Sequence, residues 1–158
     1  MRAVLAFVFA FAIVKSLDAA FSFESDIEKI PKSDEVKKKI DTTLKTMPIF
    51  HFGELRRIAI DGMKKVSVKA GDEIIKQGDK GDFLYVIDSG TYDVIMNKEK
   101  LGDIAIRTYK NKGLFGELSL LSHEPRSATV KAKSAGVLYS LDKKIFQHIQ
   151  RFIYHDWR

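Results

Sequence analysis

Residues 115–130 read Phe-Gly-Glu-Leu-Ser-Leu-Leu-Ser-His-Glu-Pro-Arg-Ser-Ala-Thr-Val. They gather residue types that can hold a small anion. Gly116 lets the backbone come close to a ligand. It opens an apolar, helix-like stretch through Ser122, and the free N–H groups at a helix start favour negative charge. Glu117 stands in that first turn. Arg126 follows Pro125 just before a strand-like run, and its planar fork suits bidentate contact with phosphate. A carboxylate such as Glu117 can accept hydrogen bonds from a sugar hydroxyl, as acids do in other nucleotide sites. Two arrangements satisfy these residues. One is a site for a single small phosphate; the other is a surface helix on which Glu117 pairs with Arg126. The residue types alone leave both open.

Other chemistries find no support. The chain has no cysteine, which removes disulfides, thiolate nucleophiles and thiolate metal sites. Its histidines, His51, His123, His148 and His155, show no metal-ligand spacing. No P-loop, nucleophile elbow or paired-carboxylate motif occurs, and hydrolysis of a bound nucleotide has no candidate nucleophile or metal. The expectation is therefore binding without catalysis and without a metal. Lys and Arg number 27 against 21 Asp and Glu, for a net charge of +6. Basic proteins attract anionic partners. Here the bases are scattered, as in Lys37–Lys39, Arg56–Arg57 and Lys143–Lys144, which reads as a solvated surface and not a nucleic-acid interface.

The elements around this segment must come from one domain. The chain has 158 residues, 45% hydrophobic and 30% charged, a globular composition of that size. Residues 1–20 form a signal-peptide-like apolar segment, with Arg2 ahead of an apolar run over 3–14. The run is too short to span a membrane as a helix. Asp18 sits where a small residue is wanted before a cut after Ala20. A targeting signal, an amphipathic or buried helix, and an artefact of where the reading frame begins all stay open. Residues 21–32 read as a polar linker. Residues 33–64 read as a helical segment: Ser33 caps a first helix, Asp34 and Glu35 suit its dipole, and Val36, Ile40, Leu44 and Met47 form its stripe. Pro48 is expected to end it. A second short helix carries Leu55, Ile58, Ala59 and Met63.

After Gly62 the period changes to two. Short β-branched or aromatic runs cover 66–68, 73–76, 83–88, 92–97, 104–109, 129–132 and 137–141, separated by Gly- and Asp-rich turns. Short strands at regular spacing suggest a sandwich or barrel over 65–142. A helix follows over 143–158, with Ile145, Phe146, Ile149, Phe152 and Ile153 as its apolar set. The fold class is mainly β (α+β).

The segment 115–130 resembles, without a gap, the phosphate-binding cassette of cyclic-nucleotide-binding domains, whose pattern is F-G-E-L-A-L, a short tip, then P-R-A-A-T-V. Residues 71–93 are similar to the matching strands and turns in regulatory subunits of cyclic-AMP-dependent protein kinase. The likeness runs from about residue 47 to 150. It implies a jelly-roll β-barrel with flanking N- and C-terminal helices and an inserted phosphate-binding helix. It implies cyclic AMP, or cyclic GMP, as ligand. Glu117 would accept the ribose 2′-hydroxyl, and Arg126 would pair with the cyclic phosphate. Backbone N–H groups of Gly116, Glu117, Leu118 and Ser119 would cradle that phosphate, with Ser119 replacing the usual alanine. Asp82 would support the arginine from behind, and Ala128 would line the pocket.

Ser127 departs from the pattern. In the family this resembles, cyclic-AMP binders usually carry alanine there and cyclic-GMP binders usually carry threonine, whose hydroxyl can meet the guanine amino group. A serine hydroxyl can do similar work, or be a neutral small residue. The kinase-like stretch 83–93 favours cyclic AMP. The resemblance also implies a kinase catalytic subunit or another effector as partner, and a cytoplasmic setting unless residues 1–20 direct secretion or hold the chain at a membrane. Arg56-Arg57-Ile58-Ala59-Ile60 has the form of a kinase pseudosubstrate, but its helical stripe predicts a core helix. The C-terminal helix stops where the family's lid would continue, and Tyr154 or Trp157 could stack on a base. The rival readings are a degenerate domain that binds no nucleotide, and a jelly-roll enzyme of the cupin type, which needs a His/Glu metal cluster that the strands lack.

Overall fold

The computed structural model of the protein describes residue 24 and residues 27–155. Along the chain run α1 (Asp34–Leu44), a 3-10 turn (Pro48–Phe50), α2 (Gly53–Gly62), β1 (Lys64–Val68), β2 (Glu73–Ile75), β3 (Phe83–Ser89), β4 (Thr91–Lys98), β5 (Gly102–Lys110), β6 (Leu114–Phe115), α3 (Leu118–Ser122), β7 (Thr129–Ala132), β8 (Gly136–Asp142) and α4 (Lys143–His155). The strands form two four-stranded antiparallel sheets, ordered β1-β8-β3-β6 and β2-β7-β4-β5. This is the expected β-roll with flanking helices and a short inserted helix.

Strand alternation makes one sheet a wall between two cores. Successive side chains of a strand point to opposite faces. In β3, Leu84 and Val86 join Tyr139 and Leu141 of β8 in a cluster with the helical residues Ile40, Leu44, Leu55, Ala59, Phe146 and Ile149. On the other face Ile87 and Leu138 meet Tyr92, Phe115, Val130 and Ala132 inside the roll. Burial on both faces explains why β3 and β8 read as nearly continuous apolar runs. Leu120 of α3 is buried in the helical cluster, so the inserted helix is anchored there.

Some expected boundaries move. Ser33 caps α1 by accepting from the Val36 N–H at 3.4 Å. The helix ends at Leu44, however, and Pro48 opens the 3-10 turn, because a missing N–H is harmless in a first turn. Strand β6 was not foreseen: two residues are too few to show a period. The pseudosubstrate-like sequence is core helix, as its stripe predicts. Ile58 and Ala59 are buried. Arg56 donates to Asp41 Oδ1 at 2.6 Å and to the carbonyls of Phe50 and His51. The signal-like segment 1–20 and Trp157 lie outside the described residues. No helix among the described residues is long and apolar enough to cross a membrane.

Of the stretch expected as a linker, the described residues Glu24, Ile27 and Ile30 lie against the helices. Ile27 is buried and packs at Gly62, where a Cβ would stand 3.0 Å from Ile27 Cγ2 and 2.6 Å from Ile145 Cδ1. The Ile30 N–H donates to the Asp61 carbonyl at 2.9 Å. Glu24 takes a two-pronged bond from Arg57, 2.8 Å at each oxygen, and one from Lys29 at 2.7 Å. The hydrogen bonds from Arg57 and Lys29 hold the Glu24 carboxyl down to about 2. A carboxyl whose folded value lies below its unfolded one stabilises at pH above the unfolded value and stops doing so as pH falls through the folded one. Glu24→Gln is therefore expected to cost about 1 kcal/mol at neutral pH. That deficit should shrink from about pH 4.5 downward and vanish near pH 2. Urea melts of the two proteins across this range test it; a deficit independent of pH would remove the ion pair as its cause.

Candidate functional site

The site lies where β6, α3 and the start of β7 converge. Gly116 adopts a left-handed backbone with φ of 87°. A Cβ there would stand 2.8 Å from Arg126 Nη1 and 3.1 Å from the Phe83 carbonyl oxygen, so only glycine fits. The space it leaves is taken by the Arg126 fork. Nη1 donates to the Gly116 carbonyl and Nη2 to the Phe83 carbonyl, each at 2.5 Å. The Arg126 backbone is held as well: its N–H donates to the Asp79 carbonyl at 2.8 Å, and its own carbonyl accepts from Gly78 at 2.9 Å. Arg126 is only 7% exposed. Burial pushes its guanidinium below the usual arginine range, against the pull of Tyr85, Asp82 and Glu117. It stays charged. Three of its five N–H donors are not engaged by these two bonds and can meet an anion.

A cavity of about 360 Å³ opens beside it. Gly116, Glu117, Leu118, Ser119 and Arg126 border it, as do Ser127 and Ala128 that follow the arginine. Ile75, Val94, Phe115 and Val130 supply an apolar wall. Phe115 stacks on Tyr85 with ring centres 5.4 Å apart, which stiffens that wall. The volume matches small-ligand sites, in which a few polar groups orient a ligand against apolar surface. Ser119 and Ala128 are buried, Glu117 is half-buried, and Leu118 and Ser127 are exposed at the rim. The structure thus brings seven of the expected residues to one cavity. Glu117 forms no ion pair with Arg126; its carbonyl accepts from Leu120 and Leu121 and starts α3.

Asp82 does not join them. Expected behind Arg126, it is exposed and makes no ion pair with it. The fork is instead braced by two backbone carbonyls, one from the neighbouring residue Phe83. The Asp82 carbonyl accepts from the Lys143 N–H at 2.8 Å and so ties this loop to the start of α4. Only the field of its carboxylate reaches Arg126.

Two further residues at the mouth escaped sequence reading. Arg107 of β5 borders the cavity, donates to Tyr109 Oη at 3.1 Å and sits 5.4 Å from that ring's centre. The pairing of β4 with β5 sets Val94 opposite Arg107 and Tyr92 opposite Tyr109. Val94 and Tyr92 belong to the interior cluster, so register alone would have pointed to Arg107 and Tyr109. Among the described residues no three acidic or histidine side chains are grouped to hold a metal.

The family described as the cyclic nucleotide-binding domain matches residues 65–151. The type II regulatory subunit of cAMP-dependent protein kinase from Drosophila melanogaster is 41% identical over 121 residues, covering 75% of this chain and 31% of that protein. The solved structure of cAMP-bound PfPKA-R is 32% identical with a TM-score of 0.71, covering 77% of this chain and 44% of that one. The regulatory domain of Toxoplasma gondii PKA with cAMP is 26% identical with a TM-score of 0.68, over 75% and 46% of the respective chains. The chain spans about a third of the length of the curated relatives it matches. With the roll, the inserted helix and a buried arginine facing one cavity already in place, the match at 65–151 means that this chain belongs to the cyclic nucleotide-binding domain family.

Proposed function

We propose that the domain binds cyclic AMP at the cavity beside Arg126 and reports occupancy through its helices, as the sensing part of a protein that regulates a kinase. It acts by binding and carries out no catalysis. The observation that carries the reading is the buried guanidinium of Arg126, with donors to spare, bordering a largely apolar cavity. A fixed, desolvated fork of this kind favours one phosphate group strongly. Glu117 at the half-buried rim is placed to accept from a ribose hydroxyl. The route outward is through α3: Ser119 borders the cavity, and its neighbour Leu120 is buried among the helices. A change in the cassette on binding biases how α2 and α4 pack. The curated relatives named as kinase regulatory subunits support a kinase catalytic subunit as partner.

Calorimetric titration of the full chain with cyclic AMP is expected to give micromolar or tighter binding. Glu117→Ala should weaken it by about tenfold to a hundredfold, the worth of a hydrogen bond to a charged group. Failure of the wild type to bind at millimolar nucleotide would sink the reading and favour a degenerate interaction domain. Ser127 supports a second ligand. Ser127 borders the cavity, at the position where alanine is usual in cyclic-AMP binders. Cyclic GMP is therefore titrated alongside, with Ser127→Ala: a loss confined to cyclic GMP would assign the hydroxyl to the guanine amino group.

A further inference from the structure

Ser119 stands out within the cassette. The residue is 5% exposed, and its Oγ is buried with no hydrogen-bond partner. Buried hydroxyls without partners are rare because desolvation is not compensated. The hydroxyl occupies a notch left by Gly81, where a Cβ would stand 1.9 Å from Ser119 Oγ and 3.3 Å from Arg126 Cζ. Hydroxyl and guanidinium therefore border the same notch, and Ser119 also borders the cavity. A polar atom kept dry beside the anion-binding cation costs stability in the free protein. It repays this only if an acceptor arrives.

We propose that the Ser119 hydroxyl donates to an exocyclic oxygen of the bound cyclic phosphate, so that the side chain adds a phosphate contact to that of Arg126. The inference rests on the cyclic-nucleotide reading of the cavity. Serine has three staggered rotamers, and a change of χ1 suffices to turn the hydroxyl from the notch to the ligand. An alanine at this position has nothing to donate, so serine here raises affinity at the expense of the free fold.

The test compares the wild-type chain with Ser119→Ala. Both are melted without nucleotide. Both are then titrated with cyclic AMP and with each diastereomer of its phosphorothioate, in which sulfur replaces one exocyclic oxygen or the other. Ser119→Ala is expected to melt about 3 °C or more higher without ligand. It should bind cyclic AMP about tenfold more weakly. That loss should disappear for one diastereomer, whose sulfur occupies the position the hydroxyl meets, and persist for the other. Equal or tighter binding of cyclic AMP by Ser119→Ala would overturn the proposal alone, leaving the hydroxyl as a plain cost. A loss of the same size for both diastereomers would also overturn it. A wild type that binds none of the three would overturn the nucleotide reading and this assignment together.

Discussion

Arg126→Lys is expected to lower the affinity for cyclic AMP by at least about a hundredfold, the value of one to two charge-assisted hydrogen bonds. Arginine here does two things with one planar group. It spans the carbonyls of Gly116 and Phe83, and it borders the cavity with three donors outside those two bonds. Lysine is a point charge without a fork and cannot hold that geometry while meeting a phosphate. The exchange should also destabilise the free domain, since two buried carbonyls lose their donors. Titration and thermal melting of the same protein separate the effects. The hundredfold loss must persist at a temperature where the variant is fully folded. Unchanged affinity there would deny Arg126 any phosphate role.

The largest expected effect on stability comes from Phe146→Ala, about 3–5 kcal/mol. Phe146 is fully buried in α4 and meets Phe50 edge-on with ring centres 6.1 Å apart. Its cluster joins α1, the 3-10 turn, α2, α4 and the outer face of the β3–β8 wall. Truncation leaves a cavity that rigid strands cannot fill, and so the cost lies near the upper end for such changes. The midpoint should fall by about 10 °C or more. Leu120 shares this cluster, so nucleotide affinity should fall too, but less than in Arg126→Lys. A drop below about 3 °C would mean that α4 is not part of the cooperative unit.

Legibility followed the physics of each segment. The strand at 129–132 and the helix start at Lys143 were read at their observed bounds, because β-branched content and an abrupt change of period mark them. The cassette was legible through its gapless likeness to a family pattern over residues 115–130; Gly116, Glu117 and Arg126 are common residue types that by themselves left a surface helix open as well. The resemblance set Asp82 behind Arg126, but a pattern match says nothing of which acceptor takes the fork, and here two backbone carbonyls do. Arg107 and Tyr109 were invisible for another reason. Their place at the cavity mouth depends on the register of β5 against β4, and that register carries a bulge between Val94 and Ile95. The end of α1 at Leu44 was missed because Met47, still buried, continues the stripe past the last helical residue.

The strand order has a consequence for the birth of the molecule. Among the described residues β1 is paired only with β8, Lys64 facing Ser140 and Val68 facing Gly136, so the first described strand of the roll waits for the last. Closing so long a loop comes at an entropic cost before any contact rewards it, which slows folding. On the ribosome the roll cannot close until residue 142 has left the exit tunnel. Until then β1 is an unpaired edge, and β3 has only the two residues of β6 beside it. Translation arrested before Gly136 would release a chain with β1 unpaired and the apolar β3 largely open, a substrate for chaperones or aggregation and not a smaller sensor.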